Sequence, residues 1–150
     1  LGVEGIKTVL INEVLHDVRV RSFFMVGDLF CEFLIFFKLC DSGWVSLTVS
    51  EGVSKFFKLD SDLELLKLSE INDEFAYPIK SLSGVDKYPG LKLLPVYEYR
   101  ISDVGEVRVG VYLGFGGCGL SVTESDECLS VTKGVVKFSD SKISLHKLIV

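Results

Sequence analysis

The chain has 150 residues, 48% of them hydrophobic and 25% charged, which suits one domain with a single core and excludes a disordered polypeptide. Its net charge of −5 argues against a phosphate-backbone binder, which needs a positive field, so nucleic acid is not an expected partner. The 4 Cys are too few and too widely spaced for a disulfide scaffold.

A single Ala, Ala76, and no Gln stand beside 20 Val and 11 Phe. Ala is the strongest helix former, whereas β-branched and aromatic side chains suit a pleated, half-buried surface, so residue choice points to sheet. The longest apolar stretch, Phe23 to Phe37, is interrupted by Asp28 and Glu32. It is too short and too charged for a bilayer span of roughly 20 apolar residues, and no membrane association is expected. No basic region, apolar run and small-residue cleavage site opens the sequence; with unpaired Cys this points to a reducing compartment, the cytoplasm.

In chain order, residues 6–15 fit either a helix, through the stripe Ile6, Val9, Leu10 and Val14, or a strand, through β-branching. From Val18 the period becomes two, with Val18, Val20, Phe24 and Val26 on one face and Arg19 and Arg21 on the other. Over 30–40, Cys31, Phe33, Ile35, Phe37 and Leu39 oppose Glu32, Leu34, Phe36 and Lys38, the pattern of a central strand covered on both sides. A turn at Asp41-Ser42-Gly43 leads to a strand over 44–50, where Val45, Leu47 and Val49 alternate with Ser46, Thr48 and Ser50. Glu51-Gly52 is a second turn, followed by a strand over 53–59.

Ser61-Asp62-Leu63-Glu64 then has the form of a capping box, and Leu65, Leu68, Ile71 and Phe75 recur at helical spacing behind it. This predicts a helix over 62–75; a strand over 62–68 is the competing reading. Pro78, Pro89 and Pro95, with Gly84 and Gly90 among them, mark a loop region joining two halves. Strands over 96–101, 106–115, 120–123, 128–132, 135–138 and 142–149 follow as a meander of short hairpins. The expected fold is α+β: a predominantly antiparallel β-sheet, as a curved sheet or half-barrel, with one or two packed helices in a single domain, 1–150.

Gly114-Phe115-Gly116-Gly117-Cys118-Gly119 matches G-x-G-x-x-G, but Leu120-Ser121-Val122-Thr123 continues it as a strand. A dinucleotide site needs a helix there, so a glycine-rich bend between paired strands is the preferred reading and no cofactor is expected. Cys31, Cys40, Cys118 and Cys128 contain no CxxC pair, and His16 and His146 complete no zinc set, so no metal is expected. Asp60-Ser61-Asp62-Leu63-Glu64 lacks the glycine and the terminal glutamate of a calcium loop. Cys118 with His146 as base is the one conceivable nucleophilic pair; no local signature accompanies it, and the protein is not expected to be an enzyme.

The carboxylates are the most informative feature. Asp60, Asp62, Glu64, Glu70, Asp73 and Glu74 with Lys67 sum to −5, equal to the net charge of the chain. A second group, Glu124, Asp126 and Glu127, falls at an expected hairpin tip. Such clusters serve either as solvated faces or as a docking surface for a basic protein, where complementary charge speeds association and sets specificity. Tyr77, Tyr88, Tyr97 and Tyr99, around the proline region, fit a half-exposed sheet face or an interface.

The stretch Gly110–Val131 (GVYLGFGGCGLSVTESDECLSV), with the acidic 60–74 segment, resembles bacterial immunity proteins, including those of contact-dependent growth inhibition systems. The resemblance implies a cytoplasmic protein that binds and neutralises a cognate toxin domain, often a nuclease, the carboxylates standing in for nucleic acid against a basic cleft. The expected function is therefore a toxin-neutralising inhibitor. The alternative is a small apolar-ligand binding module, with a pocket between the Phe-rich strands 30–40 and 106–115.

Overall fold

The computed structural model describes residues 12–25, 28–41, 43–50, 52–59, 75–76, 79–82, 84–101, 108–125, 128–138 and 142–147. They form eleven strands: β1 (Leu15–Met25), β2 (Asp28–Leu39), β3 (Gly43–Ser50), β4 (Val53–Lys58), β5 (Phe75–Ala76), β6 (Ile79–Ser81), β7 (Val96–Ile101), β8 (Arg108–Gly114), β9 (Gly119–Ser125), β10 (Cys128–Lys133) and β11 (Ile143–Lys147). There is no helix among the described residues, which corrects the expected α+β class to an all-β one. Of the helix expected over 62–75, residues 62–74 lie outside the described residues; Phe75 is in β5, opposite Met25 of β1.

The strands make two antiparallel sheets. The first runs β4-β3-β2-β1-β5, with β6 also on the β1 edge; the second runs β10-β9-β8-β7-β11. They share one hydrophobic cluster, so the architecture is a sandwich rather than a single curved sheet or half-barrel. Val18, Val20, Ile35, Phe37, Val45 and Leu47 of the first sheet meet Val96, Val111, Leu113, Leu120, Val122 and Leu129 of the second. Period-two alternation explains this: one face of each strand is apolar and must be covered.

Alternation breaks where the register slips. Arg21 pairs with Leu34 but Ser22 pairs with Glu32, so Phe33 is an extra residue in β2. The bulge moves Phe33 off the face expected for it: its ring lies under the Arg21 guanidinium, 5.4 Å from centroid to carbon. The pattern holds on either side, with Ile35, Phe37 and Leu39 buried in the core and Phe36 buried on the outer side with Trp44.

The segment 84–95 joins the sheets. Gly90 N–H donates to Leu15 O, Leu15 N–H to Leu91 O and Leu93 N–H to Glu13 O, which fastens it to the start of β1. At its far end Leu94 N–H donates to Gly114 O and Gly114 N–H to Pro95 O, which fastens it to β8. Val85, Tyr88 and Leu93 point into the shared core. Residues 135–138, expected as a strand, instead cross the outer side of the second sheet: Phe138 stacks edge-on against Tyr99, with ring centroids 5.2 Å apart.

Candidate functional site

Asp60, Asp62, Glu64, Glu70, Asp73 and Glu74 lie outside the described residues, as do Asp126 and Glu127. Their flanks are in place. Leu59, which precedes the long acidic segment, packs on the outer cluster of Phe36 and Trp44, while Phe75, which follows it, is on β5 at the opposite edge of the same sheet. Glu124 is half-buried on β9 opposite Leu129, and the pairing of Ser125 with Cys128 leaves residues 126–127 as the link of the β9–β10 hairpin.

The described residues include 14 Lys and Arg against 8 Asp and Glu. The described residues are thus net basic, and the acidic excess of the chain falls on the remaining residues of the sequence. On the outer face of the first sheet Arg19, Arg21 and Lys38 alternate with the inward-facing core residues. Arg19 Nε donates to Asp17 Oδ2 at 3.1 Å, and its guanidinium sits 4.9 Å from the Trp44 ring centroid; Lys38 Nζ is 5.7 Å from the same ring. These contacts keep Trp44 only 4% exposed while the cationic heads stay at the surface. The sequence places Arg19 and Arg21 on one face but does not show the convergence of Arg19 and Lys38 on Trp44, which depends on the pairing of β2 with both β1 and β3.

Cys118 and His146 are not brought together. Cys118 lies in the β8–β9 turn, where its carbonyl accepts from Phe115 N–H at 2.8 Å, and its side chain packs on the core. His146 is on β11 opposite Glu98, two strands away from β8, and its Nε2 lies 3.0 Å from Ser144 Oγ. The glycine-rich string is a hairpin connection, with Gly114 opposite Gly119, and no helix follows it. A different pair does meet: His16 Nε2 is 3.0 Å from Cys40 Sγ on the exposed end of the β1–β2 hairpin. No motif could have shown this, because the two residues are 24 positions apart and meet only through the strand register.

The β7 strand carries a buried ion pair. Glu98, 1% exposed, accepts from Arg100 Nη2 at 2.8 Å. On β2, Glu32 is held above the usual carboxylate range because burial disfavours its charged form. Among the described residues no group of three or more His, Cys, Asp or Glu is placed to hold a metal ion. A cavity lined by Leu15, Phe37, Leu39, Phe56, Leu93, Leu113 and Phe115 lies between the sheets, with a volume of about 10 Å³. That is the scale of a single water, not of a lipid or any drug-sized ligand, so this part of the core offers no pocket to the apolar-ligand alternative.

Comparison with known proteins finds no matching family model, no matching curated protein and no matching solved structure. Among the described residues, no helix is long and apolar enough to cross a membrane.

Proposed function

We propose that this protein is an immunity- or antitoxin-type inhibitor that binds a basic partner, a cognate toxin domain, through Asp60, Asp62, Glu64, Glu70, Asp73 and Glu74, with Glu124, Asp126 and Glu127 as a second contact region. The observation that carries the reading is the concentration of negative charge: residues 60–74 sum to −5, equal to the net charge of the whole chain, while the described residues are net basic. An acidic segment of 15 residues, fixed at Leu59 and at Phe75 to opposite edges of one sheet, spends less entropy on meeting a partner than a free tail would. Four cysteines, none of them in a disulfide, suit a reducing, cytoplasmic location. If the partner is a nuclease, its nucleic-acid cleft supplies the positive field that these carboxylates would meet.

The test is affinity capture from the native cell on the immobilised chain, compared with a variant carrying Asp62→Lys, Glu64→Lys, Glu70→Lys and Asp73→Lys. The expected result is a basic protein held by the parent chain, with affinity reduced at least about 100-fold in the variant, roughly 2.7 kcal/mol. Equal retention by both chains, at equal thermal stability, would remove the acidic segment from the function.

A further inference from the structure

The open end of the β1–β2 hairpin, where Leu15 pairs with Leu39, carries chemistry that the inhibitor reading does not use. Cys40 is the exposed one of the four cysteines; Cys31, Cys118 and Cys128 are half-buried. Its Sγ faces His16 Nε2 at 3.0 Å, and His16 is exposed as well. The geometry is held from the backbone on both sides of the thiol. Cys40 N–H donates to Val14 O at 3.0 Å, and Asp41 N–H donates to Glu13 Oε1 at 2.9 Å. Asp17 and Asp41 are the carboxylates next in the chain to the pair, and Asp17 is already engaged, its Oδ1 accepting from Val18 N–H and its Oδ2 from Arg19 Nε. A base on β1 and a nucleophile in the turn that follows β2, held at hydrogen-bond distance at the surface, form the minimal constellation for thiol chemistry.

We propose that Cys40 is a site of reversible S-thiolation by low-molecular-weight disulfides, with His16 as its base. In the tautomer with hydrogen on Nδ1, Nε2 accepts the thiol hydrogen. The Cys40 sulfur then attacks one sulfur of the small disulfide. A bond forms between Cys40 Sγ and that sulfur, the original S–S bond breaks, and the departing thiolate takes the proton back from His16. One protein thiol and one small disulfide become one mixed disulfide and one small thiol; the small disulfide is the oxidant. Reversal by an excess of small thiol follows the same path backwards.

Exposure alone would also favour Cys40, so the test must separate the imidazole from access. The full chain is incubated with oxidised glutathione, and the modified cysteines are quantified by peptide mass spectrometry over time, for the parent, His16→Gln and Cys40→Ser. The expected outcome is glutathionylation of Cys40 at least about tenfold faster than at the other three thiols, with that advantage lost in His16→Gln at unchanged melting temperature. Cys40→Ser should remove the fast phase altogether. If His16→Gln melts lower than the parent, His16→Asn replaces it. A parent-like rate without the imidazole, or a fast phase at another cysteine, overturns the proposal.

Discussion

At the scale of single residues, the tightest constraints fall where backbone meets backbone. Gly110, on β8, faces the carbonyl oxygen of Val122 and the Cα of Thr123 so closely that a Cβ would collide with both. Neither atom belongs to a side chain that can swing away. Gly117, in the neighbouring β8–β9 turn, has nothing within 4 Å of where its Cβ would be. Gly110→Ala is therefore expected to lower stability by about 1–3 kcal/mol, in the range of core overpacking, whereas Gly117→Ala stays within about 0.5 kcal/mol of the parent. Urea unfolding of the two variants checks this, and equal midpoints would show that β8 and β9 can move apart without cost. The requirement at Gly110 was not legible in the sequence, where it is one glycine in an otherwise apolar strand. Val111 and Leu113 were legible, because alternation sorts them onto one side and both are buried in the core, whereas Val109 falls in the register shift of β8 against β7.

At the scale of elements, the same reasoning shows where pattern recognition fails. β3 and β9 could be read because each has one buried apolar face, and β2 because Leu34 and Phe36 mark a second covered face. β5 and β6, of two and three residues, are too short to show a period, and their position is set by β1 rather than by their own composition. Val135–Phe138 has strand-like composition but belongs to the connection that carries the chain from β10, at one edge of the second sheet, towards β11 at the other. A relay of hydrogen bonds holds it there. Val136 N–H donates to Tyr99 Oη at 3.0 Å, and Ser121 Oγ donates to Gly134 O at 2.6 Å. Since the one hydroxyl hydrogen of Ser121 is thus committed, Tyr99 must donate to Ser121 Oγ, at 2.7 Å. Tyr99→Phe keeps the ring contact with Phe138 and leaves Val136 N–H without its acceptor. The expected cost is about 1–3 kcal/mol, with faster amide exchange confined to residues 134–138. Protection unchanged in that segment would mean that aromatic packing alone retains the crossing.

At the scale of the whole molecule, the two sheets are joined by apolar contact, which has no direction, and by a small number of bonds that do. Tyr88 makes the most consequential of these. Its segment is fastened to β1 of the first sheet through Gly90 and Leu91, while its hydroxyl donates to Gly119 O at 2.8 Å at the start of β9 in the second. The ring is 1% exposed and meets Phe115 edge-on, with centroids 5.7 Å apart. Burial pushes the Tyr88 phenol above its ordinary value of 10.0, and the nearby Cys118 thiol and Tyr112 phenol push it the same way. For an acid whose folded-state value is raised, the unfolded chain gives up the proton first as pH climbs. The contribution of Tyr88 to stability is therefore complete below pH 10 and declines above it, because a phenolate cannot donate to Gly119 O. Tyr112 is shifted upwards too, by burial first and then by Tyr99, Cys118 and Tyr97, so some alkaline sensitivity persists without Tyr88. Tyr88→Phe should thus lose about 0.5–1.5 kcal/mol at pH 7, where the Gly119 carbonyl keeps its bond from Gly134 N–H but loses the one from the phenol, and should then fall less steeply than the parent between pH 9.5 and about 11. Urea unfolding at pH 7, 9.5 and 11 measures both effects on the same pair of proteins, so the lysines that also titrate there cancel. Parallel pH profiles would mean that the sheets are held by their shared apolar core alone, and that the Tyr88 hydroxyl only fills space at the seam.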